Sequence, residues 1–415
     1  MTAFTTSLPQ TSEGQPARPE PQNAAGAPYH VALGYLRACI TVLVVAHHAV
    51  LAYVPFAPPP PASLSAQPQW WRAFPVVDSQ RWTGFSLLVG FNDVFFMSLM
   101  FFLSGLFVWN SLARKGAGTF LRDRFLRLGI PFAGAAALVA PLAYYPTCLQ
   151  SGTPVSLTAF GRQWVSLGDW PSGPAWFVWV LLAFGCVSSI LYRFLPQWGE
   201  QLGRRLSGVS ARPARFFGLL VGVSAVVYLP MALVFNPLRW SALGPFTFQT
   251  SRILLYLAYF LIGAGIGAWG TERGLLAADG KLARRWLVWV VSSLGAFVLV
   301  TAITIVAFSS PTPSRTVEVA GGLGFVLSCA ASSLAFLALF LRFARSRVAL
   351  FDSLRDNAYG IYLVHYAFVS WLQYALLGTA LPAVAKGSMV FLGAVALSWA
   401  ASAIIRRIPG VARVI

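Results

Sequence analysis

The sequence predicts an all-α membrane protein, a polytopic bundle of about ten transmembrane helices with both termini in the cytosol. Of the 415 residues, 57% are hydrophobic and only 10% are charged, whereas soluble domains carry roughly 25% charged residues. Apolar runs long enough to cross a bilayer, roughly 18 residues or more, recur along the chain. A chain with so few charges cannot cover a water-facing surface of its own, and these observations exclude a soluble globular fold.

The basic residues orient the predicted bundle. The formal net charge is +18, and a cytosolic N-terminus places most of the 30 Lys and Arg residues on cytosolic loops, as the positive-inside rule expects. The same arrangement puts the C-terminus in the cytosol. Basic residues at the inner leaflet attract anionic lipid headgroups, so the lipid bilayer is the expected partner and no nucleic acid is needed. The four cysteines predict no disulfide framework, and no metal site is expected.

Hydropathy divides the chain into three parts. Residues 1–28, rich in Pro, Ala, Gln and Thr, are predicted to be a disordered cytosolic segment. Residues 29–408 form the ten-helix membrane domain, and residues 409–415 form a short cytosolic tail. The expected spans, in order, are Leu33–Tyr53, Phe85–Ser111, Phe125–Tyr145, Pro174–Phe194, Phe216–Phe235, Ile253–Gly270, Trp286–Phe308, Val319–Leu341, Ala358–Leu377 and Val384–Ile405.

Two predicted outer loops are long and contain tryptophan. Pro55–Gly84 carries Trp70 and Trp71, and Pro146–Gly173 carries two further tryptophans. Indole rings prefer the membrane interface, and they also stack against sugars, so the pattern allows both interpretations.

The first span contains two groups that are costly in a membrane, Arg37 and His48. Eleven residues correspond to about 1100° of helical rotation, only about 20° from three full turns, and to about 16 Å along the axis. Both side chains therefore share one face, with Arg37 near the cytosolic mouth and His48 deep in the outer half. Alternatively, Arg37 extends to the headgroups and His48 bonds a neighbouring carbonyl. His47 lies about 100° further round the helix, and the spacing favours His48.

The second span carries Asn92 and Asp93 well inside the membrane, and Ser104 lies eleven residues after Asp93 on the same face. An unpaired carboxylate there would be protonated or excluded from the bilayer. The sequence leaves two interpretations open: a structural ion pair between Asp93 and Arg37, or a polar pocket that Asp93 shares with His48.

Further candidates precede the third span and begin the ninth. Arg124 and Arg127 suit phosphate binding at the cytosolic mouth, or ordinary anchoring at the inner side. Tyr359, Tyr362 and His365 follow one another at intervals of three residues and are neighbours on one helix face. An aromatic face is typical of packing, but a His within it requires a polar partner.

Five segments, in this order, resemble acyltransferase family 3 of polytopic membrane proteins. They are the Arg-x10-His pattern Arg37–His48, FFMSLMFFLSG ending at Ser104–Gly105, FLRDRFLRLGIPF, PAWFVWVLLAF around Trp176 and Trp179, and YGIYLVH ending at His365. The resemblance covers most of the chain. Ala175–Phe184 replaces a Trp-Ser-Leu-x-Val-Glu-Glu-type stretch of one large branch, and no fused hydrolase-like domain is expected, which is similar to the branch of glucan-succinylating proteins.

The resemblance implies a multi-pass enzyme of a bacterial plasma membrane. Such an enzyme takes an acyl group from cytosolic acyl-CoA, a co-substrate rather than a tightly bound cofactor, and delivers it to a hydroxyl of a carbohydrate or related acceptor. The His of the Arg-x10-His motif is regarded as catalytic in this family, which points to His48, supported by Arg37.

Acyl transfer needs a base for the hydroxyl proton, and neutral imidazole is the usual base near pH 7. We therefore expect His48 to act as base and Asp93 to orient its ring, as the carboxylate does in triads. Arg37, Arg124 and Arg127 are expected to hold the CoA phosphates. The remaining candidates for substrate or donor binding are Asn92, Ser104, Trp176, Tyr359, Tyr362 and His365. The alternative is a proton-coupled transporter or flippase that uses the same Arg, Asp and His groups.

Overall fold

The bundle is seen in a computed structural model that describes residues 28–60, 73–152, 156–272 and 274–414. The predicted disordered segment, apart from Pro28, lies outside the described residues, as do Trp70 and Trp71. Within the described parts of the chain the architecture is helical, with one small β-hairpin, which confirms the predicted all-α class.

Sixteen α-helices follow one another along the described chain, and several short ones join end to end to cross the bundle. They are α1 (Pro28–Leu51), α2 (Thr83–Gly105), α3 (Val108–Lys115), α4 (Ala117–Arg124), α5 (Ile130–Gly134), α6 (Ala140–Gln150), α7 (Leu157–Ser166), α8 (Trp176–Phe194), α9 (Trp198–Ser210), α10 (Pro213–Phe235), α11 (Ile253–Trp269), α12 (Lys281–Arg284), α13 (Trp286–Phe308), α14 (Arg315–Phe343), α15 (Ala349–Ala375) and α16 (Ala383–Ile405).

Nine helical segments within the described ranges are long and apolar enough to cross a membrane. The ninth predicted span corresponds to α15, which is not one of these nine segments. Its 27 residues extend about 40 Å at 1.5 Å per residue. Its histidine, tyrosines and charged first turns make it more polar than the other nine. α15 packs between α1, α16 and α6, so Tyr362 and His365 are buried against protein, whereas Asp356 near the start of the helix is exposed.

Three glycines bring α2 and α11 into close contact. A Cβ atom on Gly105 would lie 2.0 Å from the carbonyl oxygen of Phe260, and one on Gly263 would lie 2.2 Å from that of Phe102. One on Gly267 would lie 1.8 Å from the carbonyl oxygen of Leu106, the residue directly after α2. Small residues spaced four apart allow this backbone approach in membrane helices, and the approach fixes the position of α2 beside α11.

The third membrane helix is one continuous span, Ala117–Gln150, built from α4, α5 and α6. Two π-helical turns interrupt it, at Phe125–Gly129 and Ala135–Val139, and prolines stand at Pro131, Pro141 and Pro146. The helix continues through Pro146, so the predicted loop from Pro146 is wrong at its start. Prolines are tolerated in membrane helices when neighbouring groups bond the affected carbonyls.

α15 supplies such groups. Pro131 and Pro146 lack the N–H that would bond the carbonyl four residues earlier, and for these two prolines the carbonyls belong to Arg127 and Leu142. The Tyr359 hydroxyl donates to the first at 2.7 Å, and the Trp371 indole N–H donates to the second at 3.0 Å. The third membrane helix and α15 are therefore joined by hydrogen bonds from a tyrosine hydroxyl and a tryptophan indole N–H of α15.

The end of the bundle where α1 ends carries two ordered connections. Strands β1 (Trp240–Leu243) and β2 (Phe246–Gln249) form an antiparallel hairpin before α11. Residues 73–82, here named the plug loop, enter the bundle between α1, α6 and α16. The loop is held by Asp78, whose carboxylate lies 2.7 Å from the ammonium of Lys386, and both side chains are only 1% exposed.

Candidate active site

His48 lies on the face of α1 that contacts α15, and its ring packs against His365. The Nδ1 atom of His48 is 2.8 Å from the carbonyl oxygen of Val44 and 3.4 Å from Nε2 of His365. The ring also meets Tyr366 edge-on, with centroids 5.1 Å apart. His365 is fully buried, so the pair faces protein and not lipid.

The hydrogen bonds assign the protons of both rings. A carbonyl oxygen only accepts, so Nδ1 of His48 carries a hydrogen that it donates to Val44. The same reasoning places a hydrogen on Nδ1 of His365, which is 2.7 Å from the carbonyl of Tyr362. In the neutral pair, Nε2 of His365 then accepts weakly from His48, and Nε2 of His48 keeps its lone pair. No hydrogen bond from the described residues occupies that lone pair.

Gln373, two turns beyond His365 on α15, holds the backbone at His48. Its amide N–H groups donate to the carbonyls of His48 and Ala49 at 2.9 and 3.1 Å. These carbonyls belong to the last turn of α1, where no intrahelical donor is available. α15 therefore fixes both the ring and the main chain of His48.

Tyr359 and Tyr362, predicted as neighbours of His365, place α15 against other elements. The Tyr359 hydroxyl bonds the carbonyl of Arg127, and the Tyr362 hydroxyl donates to the carbonyl of Pro174, just before α8. The Arg127 side chain is exposed. The bonds of both tyrosines are structural, and they position the helix that carries His365.

Asp93 does not reach the His48 ring, and the expectation that it orients this ring is corrected. Its Oδ2 lies 2.6 Å from Nη2 of Arg252, and its main-chain carbonyl accepts from Nη1 of the same residue at 2.9 Å. Nor is Arg37 its partner. Arg252 stands immediately before α11, which packs against α2, and the backbone carbonyl of Val44 takes the orienting role expected of Asp93.

Asn92 and Ser104, also predicted from the second span, have different surroundings. The Asn92 amide donates to the carbonyl of Leu43 at 3.3 Å and so ties α2 to α1, while its Oδ1 is buried without a partner. Ser104 is half-buried near the other end of α2. Neither touches the histidine pair.

Two guanidinium groups face each other at the Arg-rich end of the bundle. Arg37 stacks on Phe107, with Cζ 4.9 Å from the ring centroid, and Arg124 stacks on Phe120 at 5.0 Å. The two charges are close enough to repel, and the buried Nε of Arg37 has no hydrogen-bond partner. Within the described ranges, no carboxylate forms an ion pair with either group. Such a site attracts an anion.

Trp176 opens α8 at the opposite end. Its ring lies 5.8 Å from Tyr256 of α11 and 5.4 Å from Trp240 of the hairpin, centroid to centroid. It therefore belongs to an aromatic group that extends from the hairpin towards Asp93 and Arg252.

Sequence reasoning missed Arg252 and Gln373. Arg252 lies one residue before the expected span Ile253–Gly270, although an arginine next to an apolar run can have a partner inside the membrane. Gln373 gave no signal, because the carbonyls that it bonds become available only where α1 ends.

The fold and this site define a polytopic membrane protein with an imidazole pair inside the bundle and an unpaired basic site at one end. The model of acyltransferase family 3, described as an acyltransferase domain, matches residues 30–406, so the chain belongs to this family of membrane acyltransferases. No curated protein and no solved structure matches the chain.

Proposed function

We propose that this protein transfers an acyl group from cytosolic acyl-CoA to a hydroxyl of a carbohydrate or related acceptor, with His48 as general base. The observation that carries the proposal is the fixed tautomer of His48. Its Nδ1–H is held by Val44 and His365, and this leaves Nε2 as the free base of a neutral imidazole.

The imidazole of His48 takes up one proton and releases it again within one reaction cycle. Nε2 of His48 takes the proton of the acceptor hydroxyl while the hydroxyl oxygen attacks the thioester carbonyl carbon. The carbon–sulfur bond then breaks, and the thiolate takes the proton from the imidazolium. The products are an ester and free CoA thiol. The Val44 carbonyl and Nε2 of His365 both accept from the Nδ1–H of the imidazolium, so they stabilise its charge as the carboxylate does in a triad.

Arg37 and Arg124 support the donor assignment. Guanidinium groups bind phosphate through planar, paired hydrogen bonds, and CoA carries its phosphates at the end remote from the thioester. His48 lies about 16 Å along α1 from Arg37, and the extended pantetheine arm bridges a distance of this order. Arg127, whose side chain is exposed, contributes positive charge at the entrance.

The test replaces each histidine of α1 separately. Purified protein in liposomes receives radiolabelled acetyl-CoA or succinyl-CoA together with a mixture of methyl glycosides, and labelled ester and free thiol are measured. We expect His48→Ala to lower transfer about 10²–10⁴-fold, the usual contribution of a general base. His47→Ala is expected to lose far less, because the His47 ring stacks on Phe96 and does not contact α15.

A His48→Ala protein that transfers label at the wild-type rate would refute the proposal. Wild-type protein that neither cleaves the thioester nor forms ester, but moves protons or substrate across the liposome, would favour the transporter alternative.

A further inference from the structure

A second polar site lies next to the first, on the face of α1 that looks towards α2 and α11. The His47 and His48 rings are 5.3 Å apart, centroid to centroid, but His47 turns towards α2, where it stacks on Phe96 at 5.4 Å. Asp93 and Arg252 lie close enough to act electrostatically on His47. The His48–His365 pair and the Asp93–Arg252 pair therefore lie against adjacent faces of α1.

Asp93 uses only one of its two carboxylate oxygens. Oδ2 accepts from Arg252, whereas Oδ1 accepts no hydrogen bond from the described residues. The Asp93 side chain is 41% exposed, although that of Arg252, its partner, is only 4% exposed. Because α2 is packed by α1, α11 and α14, the exposed oxygen faces a space inside the bundle.

Polar atoms of Arg252 and of residues near the pair also lack partners. Nε of Arg252, Oδ1 of Asn92 and Nδ1 of His47 are buried without a hydrogen bond. A buried polar atom without a partner costs about 1–3 kcal/mol, and three of them beside one open carboxylate indicate a site that is completed by a polar ligand.

The aromatic group next to the pair gives the site a second wall. Tyr256, one turn after Arg252 on α11, packs against Trp176, and Trp176 packs against Trp240 of the hairpin. Tyr256 is only 2% exposed, so the half-buried indoles of Trp176 and Trp240 form this wall. Indole rings stack on the apolar faces of sugar rings, while carboxylates accept from their hydroxyls. The combination suits a polyhydroxylated ring.

We infer that Asp93, held by Arg252, binds a second hydroxyl of the acceptor, adjacent to the hydroxyl that His48 deprotonates. The inference rests on the proposed function and narrows its substrate class to acceptors with two neighbouring hydroxyls. Asp93 is then a binding residue for the acceptor, and Arg252 is a positioning residue that keeps the carboxylate charged and directed into the space.

The experiment compares alcohols that differ by one hydroxyl. Purified wild-type protein and Asp93→Asn receive labelled acetyl-CoA with trans-1,2-cyclohexanediol or with cyclohexanol, and ester formation is measured for each. A hydrogen bond to a charged group contributes about 10–100-fold to specificity. We expect wild-type protein to form ester from the diol faster than from cyclohexanol by about this factor, counted per hydroxyl, and Asp93→Asn to lose this preference.

Loss of the ion pair endangers folding, so a second variant removes both charges. Asp93→Asn with Arg252→Gln leaves no buried cation without a partner and is expected to lose the diol preference equally. Asp279→Asn serves as a matched control, since Asp279 pairs with Arg345 on the exposed surface and its variant should keep the wild-type preference.

The outcomes separate this inference from the proposed function. His48-dependent ester formation with an unchanged diol preference in Asp93→Asn and in the double variant overturns the acceptor site alone. An equal loss of rate with both alcohols also overturns it, because that result indicates a structural role. Absence of ester from every alcohol with wild-type protein overturns both.

Discussion

The guanidinium groups of Arg252 and Arg37 lie in the same bundle with opposite surroundings. Arg252 is neutralised by Asp93 at 2.6 Å, whereas Arg37 faces Arg124 without a carboxylate from the described residues. A buried cation beside a second cation is unfavourable unless an anion joins them. In the proposed reaction, the phosphates of the donor supply this anion.

The role of Arg37 can be tested with a donor that lacks phosphates. Arg37→Ala is expected to raise KM for acetyl-CoA about 10–100-fold, the range for a hydrogen bond to a charged group, with a smaller change in kcat. With acetyl-pantetheine, which has the thioester but no phosphate, the same variant should resemble wild-type protein. Steady-state kinetics with both donors measure the difference.

An exposed arginine at the same end provides the control. Arg204→Ala removes an equal charge from α9 and should leave KM for both donors unchanged. If Arg37→Ala raised KM equally for acetyl-CoA and acetyl-pantetheine, phosphate binding by Arg37 would be refuted.

For single residues, the helical spacing in the sequence predicted where a polar side chain lies better than it predicted which group that side chain bonds. The spacing placed His48 in the interior of the bundle and grouped Tyr359, Tyr362 and His365 on one face. It could not assign Asp93 to Arg252, because the two are 159 residues apart and helix periodicity carries no information on which helices become neighbours. The group that orients His48 is the backbone carbonyl of Val44, and because every residue has such a carbonyl, the sequence does not indicate this partner.

Among the helices, the contact of α2 with α11 has the least tolerance for change. Gly263→Ala would place a Cβ 2.2 Å from the Phe102 carbonyl oxygen, and the helices must separate to admit it. Overpacking typically costs about 1–3 kcal/mol, so we expect a lower midpoint of thermal unfolding in detergent and a loss of transfer activity. Fluorescence-monitored melting and the ester assay measure both.

Gly222→Ala on α10 is the matched control, because a Cβ there meets nothing within 4 Å. Alanine favours helix over glycine by about 1 kcal/mol, so this variant should be as stable as wild-type protein or slightly more stable. Equal melting temperatures for Gly263→Ala and wild-type protein would show that α2 and α11 do not need this close approach.

Helix positions were largely predictable because the bilayer selects apolar segments of a fixed minimum length. The spans Trp286–Phe308 and Val384–Ile405 agree with α13 and α16 to within a residue. The prediction failed at Pro146, since proline suggests a helix end in water but not in a membrane helix with neighbouring donors. The π-turns and the hairpin had no recognisable signal in the sequence.

The whole molecule is closed at one end by the plug loop. Beside the Asp78–Lys386 pair, Gln150 of α6 bonds the main chain of Val77 at both N–H and carbonyl, at 3.0 and 2.5 Å. The Asp78 N–H donates to the carbonyl of Ala52 just after α1. One short segment thus joins α1, α6 and α16, the elements around α15.

Removing one member of this buried pair should be costly. Lys386→Met leaves Asp78 as a buried charge without its cation, and such changes cost about 3–5 kcal/mol. The double variant Lys386→Met with Asp78→Asn carries no buried charge and should recover most of the lost stability, since well-packed neutral replacements are often tolerated. Thermal unfolding of the two variants and wild-type protein measures the coupling; equal losses in the single and double variants would contradict it.

The hydrogen bonds from Tyr359 and Trp371 of α15 also constrain the order in which the protein assembles during synthesis. Tyr359 and Trp371 bond carbonyls that precede them by 232 and 229 residues, so the third membrane helix leaves the ribosome long before these partners exist. His48 is likewise synthesised 317 residues before its partner His365. The candidate active site is therefore among the last parts to assemble, and a nascent chain interrupted before α15 contains most of the bundle but only one member of the histidine pair.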